Sequence, residues 1–352
     1  MHLTRSISLA IAVSISVVSG SVCAKSGGER QADALVALGA LLFADTSLSA
    51  DHTISCASCH APSHAFADQH ELAVGTGGRV GTRNAPSLID AGQRPALFWD
   101  GRRQTLEQMV LDPLFGPQEH GLRDAADLEH RVTENVVDGR AYAAAFGKTT
   151  AIEASRIAKA LAVYVGTLQA KPSPFERFAF GKDTAALTTQ QEAGYKLFRG
   201  RAGCTACHVI HESAAPLTDD AYHDQGIGAT HLQANLQSLV AGALASDSRQ
   251  LGQTIQTHTA LSALGRFLVS HNVTDIGKFR TPSLRNVADT APYMHDGSIA
   301  TLRDAVNHEL YYSAADRGAG FSREERGAIV AFLETMSSGI EQAPNGKAAR
   351  RH

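Results

Sequence analysis

Two copies of one five-residue motif constrain this chain more than any other feature. The motif has the form Cys-x-x-Cys-His and occupies residues 56–60 and 204–208. Residues three and four apart share a face on a helical turn, so the side chains of each copy point toward one object. Two thiols can bond to the vinyl groups of a haem while the adjoining imidazole binds its iron axially, which is the c-type attachment signal. The sequence therefore predicts two covalently bound c-type haems.

A zinc ion held by four cysteines is the alternative interpretation of the same pair of motifs. Two Cys-x-x-Cys hooks can supply four ligands to one metal, but such a site does not explain a histidine directly after both hooks. The haem interpretation explains all six residues. The predicted attachment residues and axial ligands are Cys56, Cys59, His60, Cys204, Cys207 and His208.

Composition and charge limit the class of protein. The 352 residues are 43% hydrophobic and 19% charged, as is typical of a soluble globular chain. This length allows one compact domain, although two are favoured. The formal net charge is only −3 and no long basic run is present, so nucleic acid is not expected as a partner. No segment after the N-terminus predicts a transmembrane helix, so no membrane contact is expected.

The N-terminus has the pattern of an export signal. Positive charge in residues 2–5 precedes an apolar stretch over 7–18 and a small-residue cleavage site at 22–24. Cleavage after Ala24 removes Cys23, so all four cysteines of the mature chain belong to the two haem motifs. Lipid attachment to Cys23 is a disfavoured alternative, because the residues before it do not fit that signal. We therefore predict a signal peptide over 1–24 and a periplasmic protein.

The chain repeats itself downstream of each haem motif. Residues 85–88 (Ala-Pro-Ser-Leu) recur as 281–284 (Thr-Pro-Ser-Leu), and residues 99–101 (Trp-Asp-Gly) recur as 295–297 (His-Asp-Gly). Both pairs are 196 residues apart, whereas the haem motifs are 148 apart, so the second copy carries a net insertion of 48 residues between 210 and 278. This pattern predicts two fused cytochrome c-like haem domains related by internal duplication.

Amphipathic patterns predict the helices of each copy. Apolar residues at three-to-four spacing cover 32–43 and 189–198 before the haem motifs, and 152–168 and 323–336 after them. The last of these segments begins with the capping-box pattern of Ser322 and a glutamate three residues later. Alternating patterns typical of strands are lacking, so the predicted fold class is all-α. We place the two domains at 25–170 and 185–340, with a linker near 169–188.

Taken together, these motifs identify a family. The chain resembles the bacterial dihaem cytochrome c peroxidases and MauG-type proteins over nearly all of its mature length. Besides the two haem motifs, the resemblance is carried by residues 81–88, 98–102 (Phe-Trp-Asp-Gly-Arg), 279–286 and 291–297. It implies that the N-terminal haem is the peroxide site and that the C-terminal haem receives and stores electrons or oxidising equivalents.

The resemblance also implies roles for single residues near the peroxide site. Trp99 matches the tryptophan that relays electrons between the haems, and Glu119 matches the distal acid that moves a proton during O–O cleavage. The family's distal glutamine position falls on Met109, with Gln108 beside it. Without the family context, Trp99 would be interpreted as a core residue and Glu119 as a solvated loop acid.

A calcium ion near the haems is a further implication. Asn84 matches the side-chain ligand of that ion, and Thr290 and Pro292 match residues that offer backbone carbonyls. Hard oxygen ligands of this kind suit calcium. Taken alone, Asn84 would be interpreted as a turn residue.

Two departures from the family concern the ligands of iron. Many members place a Met opposite the second haem's histidine, after the helix that begins near Thr301, but this chain has none there. MauG-type proteins use a tyrosine, so Tyr311 or Tyr312 is the preferred ligand and His308 the third choice; both tyrosines could instead pack against the haem edge. The loop 74–81 lacks the histidine that closes the resting peroxide haem in other members, which predicts an open iron there.

Three functions compete at this point. The first is a peroxidase that reduces hydrogen peroxide to water with electrons from a small periplasmic cytochrome c or copper protein. The second is a MauG-type oxidase that uses peroxide to modify residues of a partner protein. The third is a non-catalytic electron carrier, which the predicted open iron disfavours. The sequence itself does not indicate the oligomeric state; family members are often dimers, so a homodimer is a possible state by analogy only.

Overall fold

The described chain is mainly helical. The computed structural model describes residues 26–233, 235–246, 251–312 and 320–341, so the predicted signal peptide lies outside the described residues. None of the helices in these ranges combines the length and apolarity that crossing a lipid bilayer requires. The helices are α1 (Gly27–Ala44), α2 (Cys56–Cys59), α3 (Leu106–Phe115), α4 (Ala125–Glu134), α5 (Val136–Phe146), α6 (Ala154–Gly166), α7 (Pro174–Ala179), α8 (Thr189–Arg199), α9 (Ala229–Gln233), α10 (Leu236–Ala245), α11 (Leu251–Thr257), α12 (Thr259–Ser262), α13 (Phe267–Ser270), α14 (Leu302–Tyr312) and α15 (Arg323–Glu334).

Strand structure in the described ranges consists of short antiparallel pairs. The strands are β1 (Gln169–Ala170), β2 (Tyr222–His223), β3 (Phe279–Arg280) and β4 (Ile340–Glu341). β1 pairs with β4, and β2 pairs with β3. Each strand is two residues long, so neither pair forms a sheet that could carry a core, and the expectation of a helical fold is confirmed.

The first core surrounds the first haem motif. α1 crosses α6 at Gly39, where an added β-carbon would collide with the backbone carbonyl of Ala160. Leu38 and Leu42, one helical turn apart on α1, are fully buried beside this crossing. The helices predicted over 32–43 and 152–168 therefore form a tightly packed pair.

The second core repeats this arrangement around the second haem motif. α8 crosses α15 at Gly194, and a β-carbon there would collide with the carbonyl of Ala328. The predicted linker contains α7, whose Phe175 is fully buried and packs edge-on to Phe332, with ring centroids 5.1 Å apart. Part of the segment between the predicted domains thus belongs to the second core.

The insertion in the second copy forms a third, smaller cluster. Ile255, Leu264 and Phe267 are fully buried within it. This cluster is fastened to the first copy because the Thr82 hydroxyl donates to the carbonyl of Ile255 at 2.7 Å. The Arg83 guanidinium adds a second attachment by donating to the hydroxyl of Ser262 at 2.8 Å. The insertion therefore lies against the loops that follow the first haem motif.

Candidate active site

The first haem motif presents a histidine prepared to bind metal. Cys56–Cys59 forms the single turn α2, and His60 follows it. The Nδ1 atom of His60 lies 3.0 Å from the carbonyl oxygen of Phe66. A carbonyl only accepts, so Nδ1 carries the proton and Nε2 keeps its lone pair for a metal. Burial lowers the pKa of His60, which keeps the imidazole neutral and able to coordinate iron.

The second motif has the same local geometry. Cys204–Ala206 is a single 3-10 turn, and the Nδ1 atom of His208 lies 2.9 Å from the carbonyl oxygen of Leu217. Cys204, Cys207 and His208 line a mainly apolar cavity of about 690 Å³. A cavity of this size suits a large prosthetic group. The donor set, two thiols and one oriented imidazole at one wall, fits a c-type haem.

The alternative of one zinc ion bound by four cysteines is not supported by this geometry. Within the described ranges, the one group of three or more potential ligands within 4.8 Å of one another is Cys207 with Asp219 and His223. The cysteines of the two motifs therefore do not converge on one metal.

Glu119 is a partly buried acid beside the first haem motif. Burial raises the pKa of its carboxyl to about 7; the Arg102 guanidinium opposes this rise and the Asp112 carboxylate adds to it. The Glu119 charge in turn raises the pKa of Cys56 and Cys59, although less than burial does. Glu119 therefore lies within electrostatic reach of the haem-attachment side chains and changes its protonation state near neutral pH.

Two loops hold the backbone around Glu119. Its N–H donates to the carbonyl of Gly116 at 3.1 Å, and its carbonyl accepts from the N–H of Thr76 at 2.9 Å. The loop that contains Thr76 approaches so closely that a β-carbon on Gly75 would collide with the carbonyls of Gln118 and Glu119. These contacts fix the backbone of Glu119, and its carboxyl accepts a hydrogen bond from another side chain. The interpretation of Glu119 as a solvated loop acid does not fit this arrangement.

Gln108 is not brought to Glu119. It lies on the exposed face of α3, and its side-chain oxygen accepts from the backbone N–H of Gln104 at 3.2 Å. Met109, one residue later, is 100° further around the helix and is buried in the first core. The amide that contacts Glu119 comes instead from Gln256 on α11, whose Nε2 lies 2.6 Å from Glu119 Oε2. Sequence analysis missed Gln256, because residues 137 positions apart carry no local signal of contact.

Trp99 lies at the wall of the cavity beside the second motif. Its indole Nε1 donates to the carbonyl of Asn84 at 2.9 Å, and its own carbonyl accepts from the N–H of Arg280 at 2.7 Å. The next residue, Asp100, is fully buried and pairs with Arg83 at 2.7 Å. Loops from both copies therefore fix the orientation of the indole.

The predicted calcium ligands lie in two neighbouring loops. Asn84 is buried, and its Nδ2 donates to the carbonyl of His70 at 2.9 Å. Its backbone N–H donates to the carbonyl of His295 at 2.9 Å, which brings it beside the loop that carries Thr290 and Pro292. The Thr290 hydroxyl donates to the carbonyl of Val287 at 3.1 Å.

α14 supplies the side chains expected opposite His208. Tyr312 lines the second cavity, whereas Tyr311 is 66% exposed and lies outside the cavity lining. The Nε2 atom of His308 lies 2.8 Å from the carbonyl oxygen of Gln225, so this nitrogen carries a proton and is not a ligand in this arrangement. Of the three predicted candidates, only Tyr312 lines the cavity, and it is 43% exposed.

Glu309 is a further candidate iron ligand on the same wall of the cavity. Leu302, Ala305, Val306 and Glu309 all line the cavity, at the three-to-four spacing of one helix face. The Glu309 charge raises the pKa of Cys204 and, more weakly than Asp219 does, that of Cys207, in both cases after the larger effect of burial. Sequence analysis passed over Glu309, although its spacing from Leu302 was available as a signal.

The fold and the paired Cys-x-x-Cys-His motifs are those of a mainly helical protein with two candidate haem sites. The family model described as di-haem cytochrome c peroxidase matches residues 33–184. A cytochrome-c peroxidase IdrP2 of Denitromonas iodatirespirans is 33% identical, over 94% of this chain and 91% of that protein. The methylamine utilization protein MauG of Methylorubrum extorquens is 33% identical, over 86% of this chain and 78% of that protein.

Solved structures agree with the sequence relatives. The crystal structure of a MauG-like protein associated with microbial copper homeostasis matches with a TM-score of 0.67 and 28% identity, over 87% of this chain and 90% of that one. The chain therefore belongs to the family of di-haem cytochrome c peroxidases and MauG proteins, as the motifs predicted.

Proposed function

We propose that this protein is a dihaem c-type peroxidase that reduces hydrogen peroxide to water with electrons from a small redox protein. The balanced reaction takes up two electrons and two protons per peroxide and yields two water molecules. The observation that carries the proposal is the partly buried Glu119 carboxyl, which accepts from the Gln256 amide at 2.6 Å and has a pKa of about 7, in electrostatic reach of the first haem motif. An acid that titrates near neutral pH is suited to proton transfer in both directions.

Glu119 has a defined task in this reaction. It takes a proton from one peroxide oxygen and gives it to the other, which then leaves as water. Haem bound by Cys56, Cys59 and His60 supplies the electron-transfer chemistry at this site.

The two domains are proposed to have different roles, peroxide binding in the first and electron uptake in the second. The domain at 25–170 would carry the peroxide site, and the domain at 185–340 would accept electrons from the donor, with Cys204, Cys207 and His208 as the residues that would hold its haem. Two features support an origin by duplication: the histidine-to-carbonyl contact after each motif, and the glycine-mediated helix crossing in each core. Trp99, oriented by loops of both copies, is the proposed electron relay.

Further proposals concern the second haem's sixth ligand, a calcium ion, the location of the protein and its oligomeric state. Tyr312 or Glu309 is the proposed sixth ligand of the second haem's iron, since both line the cavity that contains His208. A calcium ion is proposed at Asn84, Thr290 and Pro292. Export through the predicted signal peptide would place the protein in the periplasm, where a cytochrome c or copper protein can serve as donor. A homodimer remains part of the proposal by family analogy alone.

A peroxide-dependent oxidase that modifies a partner protein is the second candidate function. It is favoured by the chemistry of α14, which presents the oxygen donors Glu309 and Tyr312 to the second cavity; the Met that lines this cavity, Met294, lies outside α14. A carboxylate or phenolate stabilises ferric iron more than a thioether does and lowers its reduction potential. Relatives named MauG, such as that of Methylorubrum extorquens, are consistent with this candidate.

One assay separates the two candidates. Haem-loaded protein is mixed with reduced small cytochrome c and hydrogen peroxide, and donor oxidation is followed by absorbance. The peroxidase proposal predicts sustained turnover with two donor molecules oxidised for each peroxide consumed. Peroxide consumption without donor oxidation would favour the protein-modifying oxidase, and no reaction with peroxide at all would refute both.

A further inference from the structure

We infer that Gln256, contributed by the insertion of the second copy, positions the Glu119 carboxyl for proton transfer to peroxide. The inference rests on the proposed function, because it adds a positioning residue to the same proton-transfer site. It means that the first copy does not complete this site alone. The amide beside the catalytic acid comes from α11 rather than from α3, where the family resemblance had placed it.

The Gln256 side chain uses both ends of its amide. Nε2 donates to Glu119 Oε2 at 2.6 Å, and Oε1 lies 3.4 Å from the backbone N–H of Gln118. Gln256 is only 7% exposed, so water does not compete effectively for these contacts. The pair of contacts fixes the amide against the segment that carries Glu119.

The segment opposite is shaped to receive this amide. A β-carbon on Gly116 would collide with the Nε2 and Oε1 atoms of Gln256. Gly116 has φ of −72°, a conformation open to any residue, so backbone strain does not require glycine here. Glycine is required here because the Gln256 amide lies too close to leave room for a side chain. This gives a second way to perturb the contact without altering Gln256.

The backbone of Gln256 is fixed as well. The carbonyl of the preceding residue, Ile255, accepts from the buried Thr82 hydroxyl at 2.7 Å. Ile255 itself is 2% exposed in the third cluster. The Gln256 backbone is therefore held between the third cluster and the first copy, which limits the freedom of its side chain.

The contact has a predictable electrostatic effect. An amide N–H that donates to a carboxylate favours the ionised form, so Gln256 lowers the pKa of Glu119 against the larger effect of burial. The other charged groups in reach are Arg102, which also favours ionisation, and Asp112, which opposes it. Loss of the Gln256 amide should therefore raise the pKa of Glu119 and leave less carboxylate at neutral pH.

The test compares Gln256→Leu with a matched control on the same helix. Gln253→Leu removes an amide that donates to the carbonyl of Phe115 at 3.3 Å but does not contact Glu119. We expect the pH midpoint of kcat/KM for peroxide to move upward by about one unit in Gln256→Leu, as for the loss of one hydrogen bond to a charged group. The rate should then fall about tenfold at pH 6 and remain close to wild type at pH 9. The control should keep the wild-type midpoint.

A second readout does not depend on turnover. Difference infrared spectroscopy follows the carbonyl stretch of the protonated Glu119 carboxyl, assigned by its absence in Glu119→Gln, as pH is raised. Gln256→Leu should shift this titration upward, and Gly116→Ala should shift it in the same direction by displacing the amide. An unchanged titration in folded Gln256→Leu, or an equal shift in Gln253→Leu, would overturn the inference. A shifted titration in a protein without peroxidase activity would refute the proposed function but would still confirm the contact between Gln256 and Glu119.

Discussion

At the level of single residues, the proposed chemistry depends on how far burial raises the pKa of one carboxyl group. An exposed glutamate is almost fully ionised at pH 7 and is a weak proton donor. Burial at Glu119 raises the pKa to about 7, so both protonation states are populated at neutral pH. The protonated and ionised forms are then both accessible during one cycle of proton transfer.

Replacement of this acid tests its role. Glu119→Gln keeps the size of the side chain but cannot transfer a proton, so we predict that kcat/KM for peroxide falls by about 10² to 10⁴. In the wild-type enzyme the same rate should fall as pH drops below about 7, because the carboxylate needed to accept the first proton is lost. Steady-state kinetics between pH 5 and 9 measures both effects. Glu107→Gln, at an exposed acid on α3, is the control and should behave as wild type.

A second buried carboxyl makes a prediction about stability. Asp138 faces Asp45, and its Oδ2 is buried with no hydrogen-bond donor in the described structure, as expected if the two acids share a proton. Burial and the Asp45 carboxyl raise the pKa of Asp138 to about 8. The folded state therefore binds this proton more tightly than the unfolded chain does, and the resulting stability is present at low pH.

This stability should be lost in a defined pH window. It is complete below the unfolded pKa of about 3.9 and disappears as pH rises through about 8. Asp138→Asn cannot share a proton, so we predict that wild type loses stability relative to this variant between pH 5 and 8.5. Thermal unfolding midpoints across that range measure the difference. Glu134→Gln, at an exposed acid on α4, should follow wild type; parallel curves for wild type and Asp138→Asn would contradict the shared proton.

At the scale of elements, two helix crossings determine how each core closes. α1 meets α6 at Gly39, and α8 meets α15 at Gly194, with no room for a β-carbon at either position. The backbones therefore approach more closely than side chains would allow. This geometry brings the helix that precedes each haem motif against the helix that ends each copy.

An added methyl group at the second crossing should separate its helices. We predict that Gly194→Ala destabilises the fold by about 1–3 kcal/mol, the usual cost of overpacking a core. Chemical denaturation measures the loss. Gly327→Ala on α15 is the control, because the nearest atom to its β-carbon is 4.0 Å away, and it should be neutral or slightly stabilising. Equal effects at both positions would show that the crossing is not tightly packed.

The elements also show what a sequence can reveal. The four predicted helices are present as α1, α6, α8 and α15, and the capping box of Ser322 with Glu325 is confirmed. Their periodicity was strong because each buries one continuous face. The short helices of the insertion left no such pattern, since segments of four to ten residues bury only scattered side chains. The contact of Gln256 with Glu119 depends on how that insertion packs, so no local pattern could predict it.

At the scale of the whole molecule, a charged network joins the two copies. Asp100 is fully buried between Arg83 and Arg102, and Arg83 also donates to Ser262 of the insertion. These two cations overcome the effect of burial and lower the pKa of Asp100 to about 2. The network lies next to Trp99, so it holds the proposed electron relay as well as the interface.

Removing the central charge should be costly. Asp100→Asn leaves the buried Arg83 guanidinium without a carboxylate partner, whereas Arg102 keeps Asp112 at 3.0 Å. We predict a loss of about 3–5 kcal/mol in the free energy of unfolding. Denaturation of the haem-loaded protein measures it. Glu153→Gln breaks the exposed pair with Arg156, at 3.3 Å, and should cost at most about 1 kcal/mol. A loss at Asp100 no larger than at Glu153 would mean that the network does not hold the copies together.

We propose that a haem iron held by His60 would keep an open position for peroxide, whereas one held by His208 would have a second protein ligand. Electron paramagnetic resonance of the fully oxidised, haem-loaded protein tests this most directly, because open and closed ferric haems give high-spin and low-spin signals. We predict one high-spin and one low-spin signal in equal amounts, with the high-spin signal lost when a small ligand such as cyanide is added. Two low-spin signals in the untreated protein would show that a side chain such as Met109 closes the first iron, and would contradict the peroxidase account.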